Sequence, residues 1–369
     1  MVSNDAKPAM NPIVVLCCPG FEEQAHEIRS RMSDLGLLVL PRDACRVVIE
    51  RYRKVDGAPK IWIEGKEKLL RASVFYLCDP TQTRFADVQM VLMELRRYNA
   101  RTTAIVPWCE HSTDDRHIKH DDAFAKSCPT APIFVELLKI ALGPEGTLVF
   151  VDPHSTQMCF FGSGKPANQI SVMPDLIDRA LSGKNNVLVA TPDCGAEKRF
   201  GDQIAELRRK MEALEDSRED GLKMDVVACG KNRDPTTGAI RLSLPEIPAA
   251  LKKRGRSADG SDWNNKRAKK VEAILIDDIG RTLGTALTAA EKINAATGLP
   301  LSLLFAHADF DDAACERVHA AQKRGVVADL YVSDSNPRSA KIAREHGFVV
   351  VSIAGAIAGY IGGVVVRMG

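Results

Sequence analysis

At 369 residues the chain is long enough for two domains with sizeable cores, and 45% apolar with 27% charged residues is the balance of an ordinary globular protein. A net charge of +2 argues neither for nor against nucleic acid, since clustering of the basic residues is what matters. No run reaches the ~18–20 apolar residues needed to span a bilayer, MVSNDAKPAMNP has no apolar core of signal-peptide type, and the ten cysteines include no C-x-x-C pair. Buried, reduced thiols in a cytoplasmic protein are therefore expected.

In chain order, residues 12–18 (PIVVLCC) read as a buried strand, 22–36 as a helix and 60–63 as a short strand. Strands follow at 73–78, 102–107 and 147–151, with an amphipathic helix at 85–98 and another helix at 129–142. The alternation continues through strand 186–191, helix 195–214, strands 225–229 and 271–276, strand 302–306, helix 311–324 and strand 329–332. Such alternation predicts mostly parallel sheets covered on both faces. Gly162, Gly164 and Pro166 cluster near a domain boundary, giving an expected division into 1–161 and 162–369.

The most informative stretch is 271–285, VEAILIDDIGRTLGT. A continuous apolar run reads as a buried parallel strand. Asp277 and Asp278 sit at its carboxyl end, and a loop containing Gly280, Thr282, Gly284 and Thr285 leads into a helix. In an open α/β sheet ligands bind beyond the strand ends. Backbone amides, hydroxyls and a helix N-terminus suit a phosphate, while two adjacent carboxylates would repel it unless they hold ribose hydroxyls or a divalent cation. A phosphorylated sugar satisfies both.

Two acids followed by T-x-G-T resemble the ribose 5-phosphate loop of the phosphoribosyltransferase fold, and most closely that of the phosphoribosyl pyrophosphate (PRPP) synthetases, or ribose-phosphate diphosphokinases. Other stretches match that family in order. VDPHSTQMCFF at 151–161 resembles its V-D-L-H-x-x-Q-x-x-x-F-F, TPDCGAEKR at 191–199 its S-P-D-x-G-x-x-x-R, and GKNR at 230–233 its D-K-R-R. AHADFDDAACERV at 306–318 matches the strand and helix after its ribose loop.

The resemblance implies two consecutive phosphoribosyltransferase-like α/β domains and transfer of a diphosphoryl group from MgATP to the C1 hydroxyl of ribose 5-phosphate, giving PRPP and AMP. It implies that Lys231 and Arg233 are catalytic, and that Asp277, Asp278, Thr282, Gly284 and Thr285 bind ribose 5-phosphate. His154 and Asp193 would bind Mg²⁺, and Asp56, Asp115, Arg116 and Arg199 the ATP. Histidine is an unusual Mg²⁺ ligand, so that role rests on the resemblance alone. The expected partners are ATP, ribose 5-phosphate and further copies of the chain in a homo-oligomer, or another synthetase chain in a hetero-oligomer; neither membrane nor nucleic acid is expected.

The departures bear on the nucleotide. The family's F-S-D-G-E segment has as its best equivalent Lys54-Val55-Asp56-Gly57-Ala58, without the aromatic and the glutamate. Its R-Q-D-R-K loop becomes Thr113-Asp114-Asp115-Arg116-His117, keeping only D-R. Arg281 replaces an acid before Thr282, and Ala196 a glycine. These changes open the alternative of a catalytically weak or inactive regulatory subunit. His111, His117 and His120 lie among four aspartates in 110–122, but the spacing fits no tetrahedral zinc pattern and reads as a solvated loop. The charged stretch 212–221 and an insertion at about 241–270, basic in its second half, read as surface excursions, the latter open to a nuclear-import-like or anion-binding role.

Overall fold

The computed structural model describes residues 11–51, 59–81, 84–99, 101–113, 129–181, 186–215, 223–233, 240–243, 247 and 271–368. The chain divides into two units: Met1–Ser171 with Ser352–Gly369, and Val172–Val351.

The first unit holds strands β1 (Ile13–Cys17), β2 (Arg46–Arg51), β3 (Pro59–Glu64), β4 (Ser73–Leu77), β5 (Thr103–Val106), β6 (Thr147–Val151) and β7 (Asn168–Ile170), with helices α1 (Glu22–Asp34), α2 (Phe85–Tyr98), α3 (Thr130–Leu142) and the final helix, α10 (Ala354–Met368). Its main sheet runs β1-β4-β5-β6-β7 with every pairing parallel. A parallel bridge from Ile13 to Val39 extends it on the far side of β1. Strands β2 and β3 form a separate antiparallel ribbon. β4 (SVFYL) and β5 (TAIV) are apolar almost throughout because both sheet faces are covered.

The second unit contains α4 (Met173–Ala180), β8 (Asn186–Thr191), α5 (Cys194–Arg199), α6 (Gly201–Glu215), β9 (Lys223–Ala228), β10 (Gly230–Arg233), β11 (Ile240–Ser243), β12 (Val271–Gly280), α7 (Gly284–Thr297), β13 (Leu301–Ala308), α8 (Asp312–Lys323), β14 (Val327–Ser333), α9 (Pro337–Glu345) and β15 (Val349–Val351). Its sheet runs β15-β14-β13-β12-β8-β9, all parallel. The core packs Leu275, Leu303 and Phe305 against Ala286, Ala290 and Ile293 of α7 and Val318 of α8.

Both sheets therefore share one order: the second strand lies outside the first, and later strands add on the other side. Each has a switch point, β1/β4 in one unit and β8/β12 in the other, where a doubly wound sheet opens a ligand crevice at its carboxyl edge.

The structure adjusts several expectations. The boundary lies at Ser171/Val172 rather than at 161/162, and the chain's end returns to the first unit. There α10 buries Ile357 and Ile361, the Ser352 hydroxyl donates to Glu27 Oε2 at 2.5 Å, and Asn168 donates to Tyr360 Oη at 2.8 Å. The helix expected at 195–214 is broken at Phe200, a buried residue between α5 and α6. The insertion begins as part of a ribbon, β10 with β11, and Ile247 is buried in the second unit's core. Residues 216–222, 244–246 and 248–270 lie outside the described residues. Cys18, Cys45, Cys78, Cys109, Cys159, Cys229 and Cys315 are buried and in no disulfide among the described residues; burial pushes the Cys109 thiol up to about 12. No helix among the described residues is long and apolar enough to cross a membrane.

Candidate functional site

Strand β12 runs on through both acids to Gly280, farther than the apolar pattern alone indicated. On the β13 side its pairing continues to Gly280↔Ala308. On the β8 side it stops at Leu275↔Ala190. Asp277 and Asp278 therefore stand beside a gap on the β8 side, at the switch point. Thr191, the last residue of β8, is fully buried there, and its hydroxyl has no hydrogen-bond partner among the described residues. A buried polar atom without a partner is costly, which a polar occupant of the crevice would relieve.

The two carboxylates are held differently. Asp278 is buried, and Arg199 Nη1 reaches its Oδ1 at 2.7 Å and Asp277 Oδ1 at 3.8 Å. Asp277 Oδ1 also accepts from the Asp278 amide at 2.9 Å. Burial first, and then the Asp278 carboxylate, push the Asp277 carboxyl well above the usual range, while Arg199 opposes the shift. Arg199, expected at the nucleotide, also supplies a counter-charge to the acid pair, of which Asp278 is buried.

Asp193 caps α5: its Oδ1 accepts from the Ala196 amide at 2.9 Å, and Ala196 is fully buried. The substitution of alanine for glycine at 196 fits this cap without strain, since no positive φ is found there.

The loop from β12 to α7 turns through Leu283, which has φ 60° and buries its side chain in the core. A left-handed leucine costs ~1–2 kcal/mol, offset here by burial. Gly280 is the tight point, because a Cβ there would lie 2.9 Å from Leu283 Cδ2 and 3.1 Å from Phe305 Cγ. The turn delivers Gly284 and Thr285 to the start of α7, which has no side-chain cap; the Gly284 amide lies 3.5 Å from Thr282 Oγ1. An uncapped helix N-terminus with hydroxyls beside it is a ready oxyanion site. Arg281 pairs with Asp309 at 2.8 Å. From α8, Arg317 donates to the Thr282 carbonyl at 2.8 and 3.2 Å, fixing the loop from outside. Nothing in the spacing of Arg317 distinguished it from other surface cations of α8.

The predicted catalytic pair, Lys231 and Arg233, occupies alternate positions of β10, opposite Leu242 and Ile240 of β11. His154 belongs to the first unit, in the turn after β6 that passes through Asp152 at φ 35° and ends at Ser155, whose hydroxyl accepts from the Gln157 amide. Asp56, Asp115 and Arg116 lie outside the described residues, as do His117 and His120. His111 is described and structural, with Nδ1 3.1 Å from Thr130 Oγ1 and its ring against Phe134. Among the described residues no three His, Cys, Asp or Glu side chains gather as a metal cluster.

No family model matches the chain. It is 24% identical to a ribose-phosphate pyrophosphokinase of Sulfurisphaera tokodaii over 69% of this chain and 78% of that one. It is likewise 24% identical to ribose-phosphate pyrophosphokinase 4 of Oryza sativa, over 82% and 84%. The crystal structure of phosphoribosylpyrophosphate synthetase from Mycobacterium smegmatis superposes with a TM-score of 0.65 at 18% identity, over 96% of this chain and 98% of that one. The chain is a divergent relative of the ribose-phosphate pyrophosphokinases. Its fold is theirs, two phosphoribosyltransferase-like α/β units.

Proposed function

We propose that the chain is an active ribose-phosphate diphosphokinase, which transfers diphosphate from MgATP to the C1 hydroxyl of ribose 5-phosphate and supplies PRPP for nucleotide biosynthesis. The observation that carries this reading is the β8–β12 crevice, where a carboxylate pair and an uncapped helix N-terminus flank one loop. The amides and hydroxyls of Thr282, Gly284 and Thr285 take the 5-phosphate. Asp277 and Asp278 accept from the ribose 2- and 3-hydroxyls, with Arg199 holding the second carboxylate in place.

The C1 oxygen attacks the β-phosphorus of ATP, the bond from that phosphorus to the α,β-bridging oxygen breaks, AMP departs, and the hydroxyl proton goes to water. Such a transfer is governed by alignment and charge stabilisation, and Lys231 and Arg233 are the cations assigned to the migrating group. Asp193 and His154 are the residues that would hold Mg²⁺ in this reading, a hard cation that one carboxylate and the nucleotide phosphates suit. Such an ion would supply neutralisation of phosphate charge. Asp56, Asp115 and Arg116 complete the nucleotide contacts in this reading, which also takes the protein to be cytoplasmic and homo-oligomeric.

A second reading, a regulatory subunit in a hetero-oligomer, is favoured by the missing aromatic and glutamate near Asp56 and the shortened match near Arg116. The test is AMP formation by the purified chain with ATP, Mg²⁺ and ribose 5-phosphate, with Lys231→Ala as control. Turnover that falls at least a hundredfold in the variant supports the enzyme. Absence of turnover, with ribose 5-phosphate still bound, selects the regulatory reading.

A further inference from the structure

The first unit has a switch point of its own, and it is not empty of features. Beyond the carboxyl ends of β1 and β4 lies a cavity of about 290 Å³, formed within this unit alone. Tyr76 of β4 lines it. Its side chain is fully buried, and its hydroxyl finds no hydrogen-bond partner among the described residues. A tyrosine hydroxyl is both donor and acceptor, and leaving it without either in the interior costs free energy. Two charged side chains line the same cavity: Arg84, preceding α2, and Asp87, in the first turn of α2.

The charges decide what class of ligand fits. Asp87 sits at the positive end of the α2 dipole, which answers its charge. Arg84 donates to the Pro19 carbonyl and lies 4.0 Å from Asp79, which answers the other. Cys18, also in the lining, stays a neutral thiol because burial pushes its pKa well above the ordinary value. With its charges balanced, the cavity offers no net attraction for a free phosphate or a sugar phosphate. It offers an O–H, guanidinium N–H groups beyond those already engaged, and a carboxylate edge, beside the apolar surfaces of Pro19, Ile49 and Val88. A neutral molecule with a polar rim of mixed donors and acceptors and apolar faces matches these surroundings. The volume lies at the lower end of small-molecule sites, which begin at about 300 Å³, and so suits one ring system with a small substituent rather than a triphosphate.

We infer that the first unit carries a second binding site, at its β1/β4 switch point, for a neutral nucleobase or nucleoside. Tyr76, Arg84 and Asp87 hydrogen-bond the base edge, and Pro19, Ile49 and Val88 cover its faces. The site does not depend on the reaction assigned to the second unit.

The test is calorimetric titration of the full chain with adenosine, guanosine, cytidine and uridine, none of which carries a phosphate. Saturable binding of at least one is expected. Tyr76→Phe and Asp87→Asn should each weaken it at least tenfold, Ile49→Trp, which fills the cavity from the β2–β3 ribbon, should abolish it, and inorganic phosphate should not displace the nucleoside. Thermal melts identify which variants remain folded, and any one folded variant suffices. Failure of every nucleoside to bind at millimolar concentration, binding unchanged in a folded variant, or displacement by phosphate would each overturn the proposal.

Discussion

Asp277 and Asp278 are neighbours in sequence, yet their chemistry differs because only Asp278 has the guanidinium of Arg199 at 2.7 Å. The Asp277 carboxyl is raised above its ordinary value of 3.8, chiefly by burial. The native state then holds a proton that the unfolded chain gives up, so this group's contribution is intact below about pH 4 and is lost as pH rises through the elevated native value. Asp277→Asn removes that dependence. Its melting temperature should match the parent protein near pH 4 and exceed it as the pH rises above that. Arg199→Ala does the opposite, leaving the buried Asp278 carboxylate without the guanidinium at 2.7 Å, and a loss on the order of 3 kcal/mol is expected in denaturant unfolding. Arg281→Ala, which breaks an exposed pair with Asp309, should cost less than about 1 kcal/mol. Similar losses for the two arginine variants would mean that the acid pair is not held as described.

At the scale of elements, residues 85–98 read correctly as helix α2 because Val88, Val91, Leu92 and Leu95 keep one buried face. The ribbon strand β2 escaped notice: RVVIER alternates poorly and, among the described residues, pairs only with β3, so its stability is tertiary. Helix α10 was also missed. Its sequence, AGAIAGYIGGVVVRM, is rich in glycine and β-branched residues and has weak intrinsic helix propensity. It persists by burying Ile357 and Ile361, in a unit whose helix α1 runs antecedent to it by most of the chain. Ile361→Ala should therefore cost about 2–5 kcal/mol, and hydrogen exchange should speed up in α1 and α10 while β12 and β13 stay protected. Equal acceleration in both units would contradict the assignment of α10 to the first.

For the whole molecule, the alternation of strands and helices was legible along most of the chain, since parallel strands buried on both faces write themselves as continuous apolar runs. The duplicated strand order was not, because it depends on which strand pairs with which, and the bridge at Val39 that completes it in the first unit is one residue long. The loop proposed to take the phosphate stood out for a local reason: its acids, hydroxyls and glycines are consecutive in the chain. Arg199 and Arg317 act across long sequence separations, on Asp278 and on the Thr282 carbonyl, and only the fold reveals them. In the proposed function the β8–β12 crevice is a sugar-phosphate site. Titration of the chain with ribose 5-phosphate tests it most directly, alongside Thr285→Val, which keeps the shape of the loop and removes a hydroxyl. Saturable binding that weakens about tenfold in the variant, the worth of one charge-assisted hydrogen bond of about 1.4 kcal/mol, is the predicted result. Ribose 5-phosphate that fails to bind, or binds both proteins equally, would contradict it.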